Sequence, residues 1–338
     1  MIDLSTDQRN DWKEKIIKVI LFGASLLYWI GAIIHRDLYR FGILRRYRAP
    51  VPLVSVGNVT WGGSGKTPMV HYLAKKMTEK YDVTIVTRGY GQDESLQLSQ
   101  NLVKANVITG KNRIRSIKAF LKHTDTDVFL TDDGFQHWPL ERDLEIVCVN
   151  ALNPFGNEYL IPRGILREPI SALSRAHMVA VMHANMVSDE KLKECLDHIT
   201  QYVARDNILL CKHEPVGFVR GRTNEALDVQ AFQGQKMMAV CGIGAPDTFV
   251  KTLESVGVDV SQTFVFGDHH DFQETELKNI RRKVNLAKDI SFVTTEKDWV
   301  RCPLEMGRSI DPYVLKVKIR ILENEDRLTD RLNRLFQR

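Results

Sequence analysis

The stretch Val51-Pro-Leu-Val-Ser-Val-Gly-Asn-Val-Thr-Trp-Gly-Gly-Ser-Gly-Lys-Thr-Pro68 decides how this chain folds. Val51, Leu53, Val54 and Val56 make a short apolar run, β-branched enough for a buried strand. Gly62, Gly63 and Gly65, with Ser64 among them, let the backbone turn tightly and point its N–H groups inward. Lys66 and Thr67 then open a helix, and Pro68 sits in its first turn, where a missing N–H costs little. Strand, glycine loop, Lys-Thr and helix are the parts of a triphosphate cradle. In such a cradle the amides and the helix N-terminus hold phosphate oxygens, Lys66 reaches the β- and γ-phosphates, and the Thr67 hydroxyl ligates Mg²⁺. Thr60 departs from the usual pattern, which places a glycine five residues before Gly65. The competing reading is a glycine-rich turn with no nucleotide; the flanking strand and helix favour the cradle, and hence ATP with Mg²⁺.

Upstream, residues 16–34 read IIKVILFGASLLYWIGAII, with Lys18 the only charge, and Arg36, Arg40, Arg45, Arg46 and Arg48 follow. A secretory signal is disfavoured, because no small-residue cleavage site follows and the cations lie on the wrong side. As a helix the segment is roughly 28 Å long, barely the hydrocarbon thickness of a bilayer. Span, interfacial helix and core helix compete. The arginines favour anionic headgroups, and Tyr28 and Trp29 suit an interface, so an in-plane or shallowly inserted helix is expected. Were it a span, the arginines would still leave the glycine loop in the cytoplasm.

Downstream, Asp82 to Gly89 reads as a second strand ending in Arg88-Gly-Tyr-Gly91. Residues 112–123 look helical, and Lys111, Arg113, Arg115 and Lys118 make either a solvated face or an anion-facing one. Residues 127–131 form a third strand that runs into Asp132-Asp-Gly-Phe-Gln-His137. Adjacent carboxylates at the carboxyl end of a strand beside a glycine loop suit a Mg²⁺ site better than an ordinary capped turn. Leu144–Val149 and Met178–Met182 are further buried strands, separated by a long loop from Asn153 to Arg175. A loop of that length is usually functional; its Arg163, Arg167 and Arg175 suit a phosphorylated substrate, although solvated loop charges are the default reading.

Around residues 203–235 the pattern weakens. Met237 to Gly244 restarts a strand, 263–266 makes another that ends at Gly267-Asp-His-His-Asp271, and Ser291–Thr294 ends at Thr295-Glu-Lys-Asp298. Strands alternating with helices in both halves argue α/β architecture with mainly parallel sheets. A length of 338 residues allows two domains, each with its own core. The net charge of +5 is modest, so no nucleic-acid partner is expected. Five widely spaced cysteines without a C-x-x-C pair fit reduced thiols and imply no zinc site.

Taken in order, these residues resemble the tetraacyldisaccharide 4′-kinases, the lipid A 4′-kinases. The resemblance runs from about Leu26 to Cys302. It rests on Arg48-Ala-Pro-Val-Pro52, the glycine loop 62–68, Arg88-Gly-Tyr-Gly91, Asp132 to His137, and Arg142-Asp143. It continues through Phe155-Gly-Asn157, Leu166-Arg-Glu-Pro169, Asp268-His-His270 and Thr295-Glu-Lys-Asp298. The family's loop also lacks the early glycine. One element differs: the family carries Gly-Asp-Glu-Pro at longer spacing after Arg-Gly-Tyr-Gly. Here Gln92-Asp-Glu-Ser95 follows at once and keeps only the two acids.

The resemblance implies transfer of the ATP γ-phosphoryl group to the 4′-hydroxyl of a tetraacyl disaccharide 1-phosphate, in the Gram-negative lipid A pathway, on the cytoplasmic face of the inner membrane. It implies Lys66, Asp93 and His269 as catalytic residues, with Asp93 the base and His269 its partner. Thr67, Asp132, Asp133 and Glu168 are expected at the metal, and Arg88, Arg113, Gln136, Arg163 and Arg167 toward the acceptor. The expected architecture is a P-loop NTPase-like α/β/α sandwich with a second, smaller α/β domain and an N-terminal apolar helix. Its divisions are a membrane-associating helix with a basic flank over 1–48, a kinase core over 49–215, a connector over 216–235 and a closing domain over 236–338. Anionic lipid at the membrane surface is the expected partner besides the acceptor. The alternative is a membrane-associated P-loop NTPase that drives a partner protein.

Overall fold

The apolar run ahead of the glycine loop is strand β1 (Leu53–Asn58), and every one of its residues is buried. The computed structural model describes residues 12–89, 98, 99, 102, 104–268, 270–284 and 290–337. Before β1 comes helix α1 (Trp12–Arg40), and after the loop comes α2 (Lys66–Met77). Met69, Val70, Leu73, Ala74 and Met77 form the buried stripe of α2, at the three- and four-residue spacing of a helix packed on a sheet.

The chain forms two compact units. The first takes residues up to Arg88, Lys104–Lys212 and Ile321–Arg338. Its strands are β1, β2 (Val83–Thr87), β3 (Ala105–Thr109), β4 (Val128–Asp132), β5 (Leu144–Asn150), β6 (Met178–Met182) and the start of β7 (Ile208–Arg220). They lie in the order β3-β2-β4-β1-β5-β6-β7. The pairings are parallel. Strand β1 is therefore central, with β4 on one side and β5 on the other, where the order reverses. In open α/β sheets ligands bind outside the carboxyl ends of the strands at such a reversal. Leu53, Val54 and Val56 are each no more than 1% exposed, worth about 1.5–3 kcal/mol apiece by apolar burial. Two further helices of this unit, α3 (Arg113–Phe120) and α4 (Asp189–Thr200), are each started by a capping side chain, Asn112 and Ser188.

The second unit spans His213–Arg320 together with 89–103. Its sheet runs β10 (Asp259–Val265), β9 (Lys236–Cys241), β11 (Ser291–Thr295), β12 (Tyr313–Glu323) and the remainder of β7, with β8 (Ala226–Leu227) paired antiparallel to β7. Helix α5 (Pro246–Glu254) follows β9. Next come α6 (Glu274–Val284), α7 (Glu296–Arg301) and α8 (Pro303–Ser309), and Thr295 caps α7 by accepting from the Asp298 N–H. Helix α9 (Glu325–Leu335) ends the chain and belongs to the first unit.

Boundaries differ from expectation in three places. Residues 216–235, read as a connector, hold the end of β7, all of β8 and a 3-10 turn; Pro215 and Gly217 had disguised a 13-residue strand. Residues from 321 onward return to the first unit. There Glu325 accepts from Tyr72 (2.5 Å) and Lys76 (2.8 Å) on α2, and Phe336 stacks on Tyr81. Strand β10 also starts four residues before the expected 263. All five cysteines are buried free thiols.

Candidate active site

Backbone register assembles the site. Ser55 pairs with Thr131 and Val56 with Asp132, so Asp132 and Asp133 leave β4 beside the place where β1 enters the glycine loop. Gly57 makes that approach tight: a Cβ there would lie 2.4 Å from Phe135 Cβ and 2.7 Å from its nitrogen. Asp133 is left-handed (φ 55°), a conformation short Asp side chains tolerate. Gly62 and Gly65 take φ 108° and 81°, which glycine adopts at no steric cost. Within the loop, Asn58 donates to the Ser64 hydroxyl at 2.8 Å, and Ser64 is 2% exposed.

Two contacts join the loop's helix to the acidic turn. The Thr67 hydroxyl donates to Asp132 Oδ2 at 3.0 Å, and Lys66 Nζ stands 3.6 Å from Asp133 Oδ1. Arg167 grips the same Asp133 carboxylate with Nη1, at 2.9 and 3.1 Å. Burial works against ionising Asp133, but Lys66, Arg167 and Arg113 together outweigh it and hold the carboxyl below its ordinary range. Two cations on one carboxylate mark a place built to neutralise a concentrated negative charge.

Glu168 sits beside this centre rather than in it. Its carboxylate takes a two-pronged contact from Arg175, at 2.8 and 3.0 Å, and accepts from Gln136 Nε2 at 3.1 Å. Gln136 Nε2 also lies 2.8 Å from the Asn58 carbonyl. The Arg175 guanidinium stacks over the rings of Phe135 and Trp138, 4.2 and 4.4 Å from their centroids.

The other expected acceptor residues occupy different places. Arg113 is buried and gives its guanidinium to the carbonyls of Asp132 (2.6 Å) and Asp133 (3.1 Å), so it braces the acidic turn. Arg163 lies over the Tyr159 ring and donates to the Lys18 carbonyl of α1. Arg88 is exposed just past β2. Asp93 and His269 lie outside the described residues.

Sequence reading missed a second brace on the same turn. Arg142 Nη1 donates to the carbonyls of Gly134 (3.1 Å) and His137 (3.2 Å), while its Nε pairs at 2.7 Å with Glu145, which is 3% exposed. The signal was a charged residue inside the apolar strand Leu144-Glu-Ile-Val-Cys-Val149. Burial raises the Glu145 carboxyl against the pull of Arg142.

A cavity of about 390 Å³ adjoins these groups. Leu27, Tyr28 and His35 of α1 line one side, and Gln136, Trp138 and Arg167 line the other. Tyr28 and Arg167 thus bring the apolar helix and the cluster around Asp133 to one opening. Helix α1 is long and apolar enough to cross a membrane over Lys15–Arg40, at a mean hydropathy of 2.0, and is compatible with membrane association. Among the described residues no cluster of three or more His, Cys, Asp or Glu side chains is arranged for a metal. Thr67 and Asp132 nonetheless supply hard oxygen donors of the kind Mg²⁺ takes, which completes its shell with waters and phosphates.

Comparison with known proteins gives the family and the fold. Residues 17–96 and 92–337 match the family model described as LpxK, tetraacyldisaccharide-1-P 4′-kinase. A tetraacyldisaccharide 4′-kinase of Halothermothrix orenii is 33% identical, with 89% of each chain covered. A probable mitochondrial tetraacyldisaccharide 4′-kinase of Arabidopsis thaliana is 35% identical over 87% of this chain and 83% of that one. The crystal structure of LpxK from Aquifex aeolicus in complex with ATP superposes with a TM-score of 0.74 at 25% identity, covering 95% of this chain and 99% of that one.

Proposed function

The chain belongs to the tetraacyldisaccharide 4′-kinase family, and from that premise we propose how its residues divide the chemistry. It is an ATP-dependent kinase that phosphorylates the 4′-hydroxyl of a tetraacyldisaccharide 1-phosphate in lipid A biosynthesis. An NTPase that drives a partner protein is not favoured.

One observation carries the assignment of roles: Lys66 and Arg167 converge on Asp133 while Thr67 meets Asp132 next to them. Phosphoryl transfer depends on positioning and on neutralising charge, with little covalent work for the protein. Lys66 and Arg167 turn from Asp133 to the β- and γ-phosphates when nucleotide enters. The glycine loop, Gly62 to Gly65, holds the phosphate oxygens through its amides. Thr67 and Asp132, with Asp133 beside them, would hold Mg²⁺, which would supply positive charge to offset that of the phosphates. Glu168 acts through Gln136 and Arg175, keeping the Leu166-Arg-Glu-Pro169 segment in register with the turn. The base is Asp93, partnered by His269; this assignment rests on the family resemblance.

The cavity beside α1 receives the acceptor. An apolar helix on one side and Gln136 with Arg167 on the other suit a molecule with acyl chains and a polar sugar. The exposed apolar face of α1 and the arginines after it support docking to anionic lipid at the cytoplasmic face of an inner membrane.

The test of the metal assignment is the Mg²⁺ dependence of phosphate transfer from labelled ATP to the disaccharide. Asp132→Asn should raise the Mg²⁺ needed for half-maximal rate by about tenfold or more. Full activity at an unchanged Mg²⁺ requirement would remove Asp132 from the metal.

A further inference from the structure

Among the contacts of helix α1 with the core is a short line of polar groups. Ser25, 4% exposed, is a buried polar residue on the helix. Its hydroxyl lies 2.8 Å from the Leu160 carbonyl and accepts from the Arg163 N–H at 3.2 Å. One turn later, the Tyr28 hydroxyl donates to the carbonyl of Arg167 at 2.8 Å. Arg163 reaches back from the same loop to the Lys18 carbonyl.

Three hydrogen-bonded contacts hold Arg167, and its guanidinium also lies 5.3 Å from the Trp61 ring centroid. Its N–H donates to the Val59 carbonyl at 2.7 Å, its guanidinium grips Asp133, and its carbonyl is held by Tyr28. The first two holds come from the strand and turn of the phosphate site itself. The third comes from a helix whose outward residues are exposed. A peptide unit is planar, so fixing the Arg167 carbonyl also fixes the N–H of Glu168 and the direction in which both side chains leave.

We propose that Tyr28 is a positioning residue for phosphoryl transfer: through its hydroxyl, helix α1 sets the backbone from which Arg167 reaches the transferring phosphate. The inference rests on Arg167 being the phosphate-facing cation of the preceding section. Tyr28 also lines the acceptor cavity, so a simple acceptor contact is the rival account. The two differ in what they predict. A contact with the acceptor shows in its KM and is indifferent to Arg167. A positioning role shows in kcat and vanishes once Arg167 is gone.

The experiment is a double-mutant cycle in the full chain, with Mg-ATP and tetraacyl disaccharide 1-phosphate in mixed micelles, comparing wild type, Tyr28→Phe, Arg167→Ala and the double variant. Tyr28→Phe keeps the ring and removes one hydroxyl, so the thermal midpoint should stay near wild type. It should lower kcat about fivefold, roughly the effect of one lost hydrogen bond, with the acceptor KM within about twofold. Arg167→Ala should lower kcat about 100-fold or more. The double variant should be no slower than Arg167→Ala alone. An undiminished Tyr28→Phe effect in the Arg167→Ala background, or an effect confined to the acceptor KM, overturns the inference and leaves the site assignment standing. Wild-type kcat in Arg167→Ala overturns both.

Discussion

Strand β1 and helix α1 are both apolar segments of the first unit, and the protein uses them in opposite ways. Every residue of β1 is buried, and its position follows from register against β4 and β5. On α1, Val19, Ile20 and Leu27 are 70, 64 and 74% exposed, and its contacts with the core include those of Ser25 and Tyr28, the returning Arg163 and the Phe22 ring against Tyr159. Apolarity alone therefore places nothing. A strand is placed by its ladder, whereas this helix is held by scattered hydroxyl, guanidinium and ring contacts, with much of its apolar surface left exposed.

The largest expected effect falls on the β1 side. Lys66→Ala should reduce phosphate transfer by about 10³-fold or more, since it removes a cation that clamps the β- and γ-phosphates. Wild-type turnover would break the link between the buried strand and the chemistry. On the α1 side, deleting residues 16–34 should shift the protein toward the soluble fraction. It should also weaken use of the acylated acceptor more than nucleotide binding. High salt should release the intact chain only partly, because it screens the arginines and leaves apolar burial untouched. Complete release by salt would make the helix an electrostatic tether.

Glycines sharpen the contrast at smaller scale. Gly57→Ala forces a methyl against the Phe135 backbone and should cost about 1–3 kcal/mol, read as a lowered thermal midpoint. Gly23→Ala on α1 meets nothing within 4 Å, so it should be neutral or stabilising by up to about 1 kcal/mol. Equal effects at the two positions would contradict the difference in packing. The smallest effect concerns pH. Burial, aided by Arg113 and Arg142, pushes His137 down to about 4, against about 6.5 in an unfolded chain. Between those values the unfolded state binds more protons, so this group's contribution to stability is lost as pH falls through that window. The thermal midpoint of a His137→Gln variant should accordingly fall less steeply from pH 6.5 to 4.5 than that of wild type. Parallel curves would take His137 out of the account.

The sequence was informative where chemistry is local. The turn from β1 into α2 needs glycine at φ 108° and 81°, and Gly62 and Gly65 announce it; Asp132 and Asp133 follow an apolar run directly. Pairings across space were not legible. Arg175 and Glu168 are seven residues apart and meet because a 3-10 turn over Ile170–Arg175 folds one back on the other. Arg113 looked like an anion ligand because its role depends on α3 packing beneath a turn twenty residues ahead. The return of the chain's end to the first unit hinges on Glu325 meeting Tyr72, a contact that no periodicity encodes.

The buried thiols have a practical consequence. Burial pushes Cys148 and Cys241 up to about 12 and Cys195 to about 11, and it raises Cys211 and Cys302 as well. Since the thiolate is the reactive species, the folded protein offers alkylating reagents almost no nucleophile. A cysteine introduced at Val19, Ile20 or Leu27 would carry a fluorophore alone, without removing any native thiol. Quenchers fixed at known depths in a bilayer would then report each position in turn. A helix lying in the plane gives depths that rise and fall every 3.6 residues, and a crossing helix gives a steady gradient.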